Sequence, residues 1–228
     1  MTSPIIVALD MSPESSLELV KKLDPNECKV KVGSQLFTSS GPEIVKQLNG
    51  LGYDVFLDLK YHDIPNTVKK AIEVSIDLGV WMLNVHSLGG REMLREASES
   101  IKNAQVKPLL LGVTILTSLD EESLNHVGLG LLPLPDQVLL LAKLCESEGL
   151  DGVVCSPNEI PILRSSLGDN FILVTPGIRA IGLDEDDQKR TSSATVAIKN
   201  GANFIVLGRE ITLSSDPGSK IKQILETI

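Results

Sequence analysis

The sequence predicts an α/β protein built as a single (β/α)8 barrel over residues 1–228. Three observations carry this expectation. Short β-branched runs recur eight times. Helical patterns fill the intervals between them. No Gly/Ser-rich linker divides the 228 residues.

The runs are PIIVALD (4–10), CKVKVG (28–33), YDVFLDLK (53–60), VWMLNVH (80–86), PLLLGVTIL (108–116), DGVVCS (151–156), NFILVTPG (170–177) and NFIVLGR (203–209). Most are near-continuous apolar stretches, as expected of parallel strands covered on both faces. Between them, Leu17, Val20 and Leu23 fall on one helical face, as do Ile44, Leu48 and Leu51. Val68, Ile72 and Ile76 repeat the pattern, followed by Met93, Ala97 and Ile101, and by Leu141, Leu144 and Cys145. Ile221, Ile224, Leu225 and Ile228 mark the last helix. Ser12-Pro13, Ser156-Pro157 and Asp216-Pro217 each read as an N-cap followed by proline at the first helical position, and Glu159 completes a capping box with Ser156. Gly201 suits a left-handed cap after the helical run 191–200. A doubly wound open sheet is the competing architecture, but its glycine-rich first turn is missing from LDMSPES.

Hydrophobic residues make up 42% of the chain and aromatic ones 3%, so the core is expected to consist of Val, Ile, Leu and Ala. A net charge of −9 without a long basic cluster argues against nucleic acid or an anionic membrane as the main partner. MTSPIIVALD lacks the basic and apolar regions of a secretion signal, and no apolar stretch approaches bilayer length. Cys28, Cys145 and Cys155 are odd in number and widely spaced, which fits reduced core thiols better than disulfides or zinc ligands. The expectation is a soluble cytoplasmic protein.

Strand C-terminal ends form the active face of such barrels, and Asp10, Lys31, Asp58, Lys60, His86 and Arg209 lie at or near them. Asp58 and Lys60, two apart on a strand, are expected to point to the same face, with Lys31 inward beside them. Alternating signs would keep the groups ionised. A buried ion-pair network that only closes the barrel is the alternative reading. A Schiff-base lysine is a further one, but flanking carboxylates keep an amine protonated and poorly nucleophilic. Asp63 follows past the strand end, where it or Asn66 could simply cap the next helix. His86 reads as a supporting hydrogen-bonding group.

VLGRE (206–210) and VTPGIR (174–179) close the last two strands, where this fold commonly binds phosphate. Gly208 and Gly177 allow close approach to the backbone, and Arg209 can fork onto phosphate oxygens. Ordinary turns and a surface ion pair would explain the same residues. Between these loops, residues 178–191 are long and polar enough for a lid. Asp184, Glu185, Asp186 and Asp187 read as a solvated face, and Gln188 as a donor to phosphate and base. A second candidate lid is SLNHVGLGLLPLP (123–135), in which His126 reads as incidental. Thr117 and Ser118 could read a polar ring edge or cap a helix from Leu119 onward.

Taken together, VALD (7–10), KVG (31–33), DLKYHDIPNT (58–67), NVHSLGG (84–90), TILTS (114–118), DGVVCS (151–156), VTPGIR (174–179), DQKR (187–190) and VLGR (206–209) resemble the orotidine 5′-monophosphate decarboxylase family of bacterial type. The resemblance spans nearly the whole chain in order. It implies a TIM barrel that decarboxylates orotidine 5′-monophosphate to uridine 5′-monophosphate, the last step of de novo pyrimidine nucleotide synthesis, with no cofactor and no metal. It further implies a homodimer joined through the active-site face. Lys31, Asp58 and Lys60 would then meet Asp63 of the second chain, with Thr67 reaching the same site, Asn66 counted among the substrate-binding residues, and Lys60 as the proton donor. Asp10 and Lys31 would hold the ribose, Thr117 and Ser118 the pyrimidine, and Gln188, Gly208, Arg209 and Arg179 the phosphate. D-x-K-x-x-D alone also occurs in Mg²⁺-dependent relatives such as 3-keto-gulonate-phosphate decarboxylase and hexulose-phosphate synthase, but IPNT after it points to the orotidylate branch. A non-catalytic nucleotide sensor is the remaining rival, and two lysines caged by carboxylates argue against it.

Overall fold

In the computed structural model, which describes residues 3–178 and 192–228, eight parallel strands close on themselves. They are β1 (Ile5–Ala8), β2 (Lys29–Gly33), β3 (Val55–Tyr61), β4 (Met82–His86), β5 (Leu109–Val113), β6 (Gly152–Val154), β7 (Ile172–Thr175) and β8 (Phe204–Leu207). Each pairs with its neighbour in sequence, and β1 with β8 completes the ring. The barrel is therefore the observed architecture, and the open sheet is excluded. The α-helices are α1 (Pro13–Val20), α2 (Ser34–Ser40), α3 (Glu43–Gly50), α4 (Pro65–Asp77), α5 (Gly90–Ile101), α6 (Glu121–His126), α7 (Leu134–Ser147), α8 (Ile160–Leu167), α9 (Ala194–Lys199), α10 (Arg209–Thr212) and α11 (Pro217–Leu225). No described helix is long and apolar enough to cross a membrane.

Strand alternation splits the core in two. Outward residues such as Ile5, Val7, Val30, Val32, Val55 and Leu57 pack beneath the helices, together with Ile44, Leu48, Ile72, Met93 and Ala97. Inward residues Ile6, Ala8, Phe56, Met82, Leu111, Val174 and Val206 fill the barrel itself. β2 shows the rule sharply. Its valines face out, while Lys29 and Lys31 face in and are nearly inaccessible. Lys29 sits at the lower end, donates to the Ser3 carbonyl at 3.0 Å, and lies 5.1 Å from the Trp81 ring. Lys31 sits at the upper end, where the charged site begins.

Helix starts follow the local sequence signals. Ser12 accepts from the Ser15 amide, Asp216 from the Ser219 amide, and Ser156 and Glu159 form the reciprocal capping box. Gly201 has φ 108° just past α9, although that helix spans only Ala194–Lys199 within the expected run. α2 was not signalled by the sequence, because SQLFTSS carries neither a clear apolar stripe nor a capping side chain. Two expectations about caps are corrected. Asp120, not Thr117 or Ser118, caps α6 by accepting from Ser123. Ile64 occupies the cap position of α4 without a side-chain bond, so neither Asp63 nor Asn66 serves there. Gly152 has a steric role: a Cβ there would collide with the Ile172 carbonyl on β7. Cys28, Cys145 and Cys155 are buried and form no disulfide; burial pushes the Cys28 thiol up to about 12 and that of Cys145 up to about 11, leaving both unreactive.

Candidate active site

At the upper rim, four side chains form a row of alternating charge. Asp10 Oδ1 lies 3.0 Å from Lys31 Nζ, Lys31 Nζ 3.3 Å from Asp58 Oδ2, and Asp58 Oδ1 2.7 Å from Lys60 Nζ. Lys31 and Asp58 are delivered by β2 and β3 at inward positions of the alternation, and Asp10 by the segment two residues past the end of β1. The middle pair is enclosed, with Lys31 and Asp58 side chains 10% and 12% exposed. The ends open to the mouth, with Lys60 at 36% and Asp10 at 56%. A molecule bound over the barrel would therefore meet Lys60 and Asp10 first, while the buried pair fixes their spacing.

The enclosed middle pair holds its charges through its neighbours. Burial alone would push Asp58 up, but Lys31 and Lys60, with hydrogen bonds from Lys60 and Asn84, outweigh it and hold the carboxyl below its ordinary value. Burial likewise disfavours the Lys31 ammonium, yet Asp58 and Asp10 overcome it and raise its pKa. Breaking such a buried set leaves an uncompensated charge, which makes each member hard to remove without consequence.

The reason Asp58 and Lys60 meet differs from the expected one. Simple alternation does not operate, because β3 departs from regular register between Leu57 and Tyr61. Leu57 pairs with Leu83 and Tyr61 with Val85, so residues 58–60 stand opposite Asn84 alone. Lys60 has φ 52°, the one positive φ at a non-glycine among the described residues. A lysine in this region costs about 1 kcal/mol or more, and such outliers concentrate at working sites. The bulge turns the ammonium back onto Asp58.

Asn84 is the residue that sequence reasoning missed. It is fully buried, donates from Nδ2 to Asp58 Oδ1 at 2.6 Å, and accepts the Lys60 amide at Oδ1 at 2.8 Å. Its inward position in the run MLNVH was the available signal, since a polar amide inside an apolar strand needs partners. The His86 ring stacks on His62 with centroids 5.3 Å apart, and its buried Nδ1 has no hydrogen-bond partner among the described residues. Burial, then His62 and Lys60, push its pKa below the usual histidine value.

Other expected residues lie around this row. Asp63, Asn66 and Thr67 are exposed at the start of α4, beside Ile64, which is 68% exposed. Among the described residues, Asp63 Oδ1 accepts from the adjacent Ile64 amide, at 2.7 Å, and is not joined to the row. Thr117 and Ser118 form a turn after β5, with Ser118 exposed. Gly208 and Arg209 follow β8, and a Cβ at Gly208 would meet open space. Gly177 has φ 78°, and its carbonyl accepts the Ser192 amide at 3.1 Å. Arg179 and Gln188, with most of the candidate lid at 178–191, lie outside the described residues. In the second candidate lid, α6 and α7 occupy both ends, and Leu131 between them is 94% exposed. Among the described residues, no group of three or more His, Cys, Asp or Glu could hold a metal ion.

Comparison with known proteins matches residues 3–224 to the family described as "Orotidine 5′-phosphate decarboxylase / HUMPS family". An orotidine 5′-phosphate decarboxylase of Nitrosococcus oceani is 49% identical over 223 residues, covering 97% of this chain and 96% of that protein. One from Legionella pneumophila is 49% identical, with 100% of both chains covered. Among solved structures, the orotidine 5′-phosphate decarboxylase of Lactobacillus acidophilus superposes with a TM-score of 0.87 at 39% identity, covering 99% of this chain and 98% of that one.

Proposed function

This chain belongs to the orotidine 5′-phosphate decarboxylase / HUMPS family, and from that premise we propose that it converts orotidine 5′-monophosphate to uridine 5′-monophosphate and CO₂. It is a carboxy-lyase serving pyrimidine nucleotide synthesis, acting as one domain without a cofactor. The observation that carries the reading is the row Asp10–Lys31–Asp58–Lys60, with its lysine end open at the barrel mouth.

The chemistry needs such a row. When the C6–CO₂ bond breaks, its electron pair stays on C6 in an orbital lying in the ring plane, out of reach of the π-system. Fixed positive charge beside C6 is then the available stabiliser. The Lys60 ammonium supplies that charge and passes a proton from Nζ to C6, after which solvent reprotonates the amine. Asp58 holds the ammonium in place. Asp10 and Lys31 bind the ribose hydroxyls, Thr117 and Ser118 read the pyrimidine, and Gly208 and Arg209 hold the phosphate with Gln188 and Arg179. Phosphate binding far from C6 contributes by closing the site over the charged row.

Two observations favour this reaction over the Mg²⁺-dependent sugar-phosphate branch. The relatives near 49% identity all carry the orotidine 5′-phosphate decarboxylase name. Both oxygens of Asp58 already face cations or an amide donor, which makes it a poor metal ligand. The direct test follows the orotate absorbance on mixing protein with orotidine 5′-monophosphate and a chelator. Loss of the chromophore is expected. A silent protein, or one revived only by Mg²⁺, would overturn the assignment.

The site is completed in a homodimer. Exposed Asp63, Asn66, Thr67 and Ile64 form a rim that supports contact with a second copy, with Asp63 reaching the partner's Lys60. Mixing inactive Lys60→Ala with inactive Asp63→Ala and allowing subunit exchange should restore about a quarter of the parent activity, because half the dimers are mixed and each carries one intact site. No recovery after demonstrated exchange would confine Asp63 to its own chain. The buried, disulfide-free cysteines support a cytoplasmic setting.

A further inference from the structure

Asn84 is the one residue of β4 set against the three bulged residues of β3. The regular ladder is interrupted there, so the Lys60 amide has no strand carbonyl opposite it. The Asn84 side chain takes that place, accepting the Lys60 N–H at 2.8 Å, while its Nδ2 donates to Asp58 Oδ1 at 2.6 Å. Only one orientation of the amide satisfies both contacts, because a carboxylate only accepts and a backbone N–H only donates. Asp58 Oδ1 is also the oxygen that meets Lys60 Nζ at 2.7 Å. One amide thus grips the lysine through its left-handed backbone and the carboxylate that its ammonium meets.

We infer that Asn84 is a positioning residue for decarboxylation, setting the Lys60 ammonium against Asp58 through these two hydrogen bonds. The inference rests on the function proposed above and deepens it. Asn84 needs no contact with substrate. Its effect falls on the alignment of charge at C6, so it belongs to the chemical step rather than to binding, where a misplacement of about 1 Å can cost about 10²-fold.

An aspartate at this position separates positioning from packing. Protonated, its carboxyl reproduces the amide, with O–H donating to Asp58 and C=O accepting from Lys60. Ionised, it loses the donor and repels Asp58. The charged and titratable groups around it are Asp58 and Lys60 on β3, Lys31 on β2 with Asp10 beyond it, and His86 on β4 stacked on His62; β5 offers none. Asp58 and the enclosed position favour the protonated form, and the Lys60 and Lys31 ammonium groups oppose it.

The experiment measures kcat and KM for the parent, Asn84→Ala and Asn84→Asp from pH 5 to 9, with folding checked by circular dichroism. For Asn84→Ala, kcat is expected to fall about 10²-fold while KM stays within about threefold. For Asn84→Asp, kcat should climb about tenfold for each unit of falling pH above the pKa of the introduced carboxyl, a limb the parent lacks. An Asn84→Ala kcat within about threefold of the parent, or a loss confined to KM, would overturn the inference. So would an Asn84→Asp profile parallel to the parent's. If Asn84→Ala does not fold, the Asn84→Asp profile alone decides. If the parent itself leaves the orotate chromophore intact, the proposed function fails, and this inference with it.

Discussion

Replacing Lys60 by alanine is expected to abolish turnover while leaving the binding of uridine 5′-monophosphate largely intact. The side chain lies at the open end of the charged row, so truncation leaves little buried cavity. The backbone at φ 52° is held through the Asn84 contact, which does not involve the lost atoms. Asp58 keeps Lys31 at 3.3 Å and the Asn84 amide, so the buried part of the row remains paired. What disappears is the positive charge beside C6 and the proton. Each effect alone is worth about 10²–10⁴ in rate, so a combined loss of about 10⁴-fold or more is expected. Single-turnover decay of the orotate absorbance measures the rate, and titration calorimetry with uridine 5′-monophosphate measures binding. Near-normal turnover in the variant would remove the proton-donor role.

Asp58→Asn is expected to damage both stability and turnover. Asp58 receives three donors, from Lys31, Lys60 and Asn84, while nearly inaccessible. An amide there turns an NH₂ group toward an ammonium and leaves Lys60 with no counter-charge in its own chain's row. Breaking a buried set in this way costs about 3–5 kcal/mol, which for a chain of this size lowers Tm by roughly 10 °C. The loss has a definite pH dependence. The folded carboxyl titrates below its ordinary value near 3.9, so its contribution is present above that value and disappears as pH falls through the lower folded one. The gap between parent and variant in denaturant titrations should therefore be full at pH 7 and narrow below about pH 4. A gap that stays constant into acid would mean that Asp58 stabilises by shape and not by charge. Turnover should fall as well, because the ammonium at position 60 loses the group that orients it.

Much of this was legible along the chain. Eight β-branched runs identified eight strands, seven of them observed within the expected span and β3 running one residue past it, to Tyr61. The three Ser/Asp-Pro pairs marked real helix starts, because proline and a short polar cap act within a single turn. In β2, the pattern K-V-K-V fixes the lysines inward through the two-residue period of a strand. Where longer-range geometry decides, the reading was less complete. DLK looked like a regular strand whose alternation would aim both charges together, whereas a bulge does so with a left-handed lysine. Asn84 carried no role in the linear sequence because its partners sit on the neighbouring strand, 24 and 26 positions away. The stacking of His86 on His62 likewise has no signature in the linear sequence.

The division has a physical basis. Periodicity, capping chemistry and residue type are local properties, and by themselves they determined the barrel, the inward lysines and the acid–base composition of the rim. Spacing within the rim depends on how one strand slips against the next. Only the closed tertiary structure decided that residues 58–60 share a single partner on β4. That register shift brings the Lys60 ammonium to 2.7 Å from Asp58, because a strand forced to absorb extra residues must bend, and here it bends around Asn84.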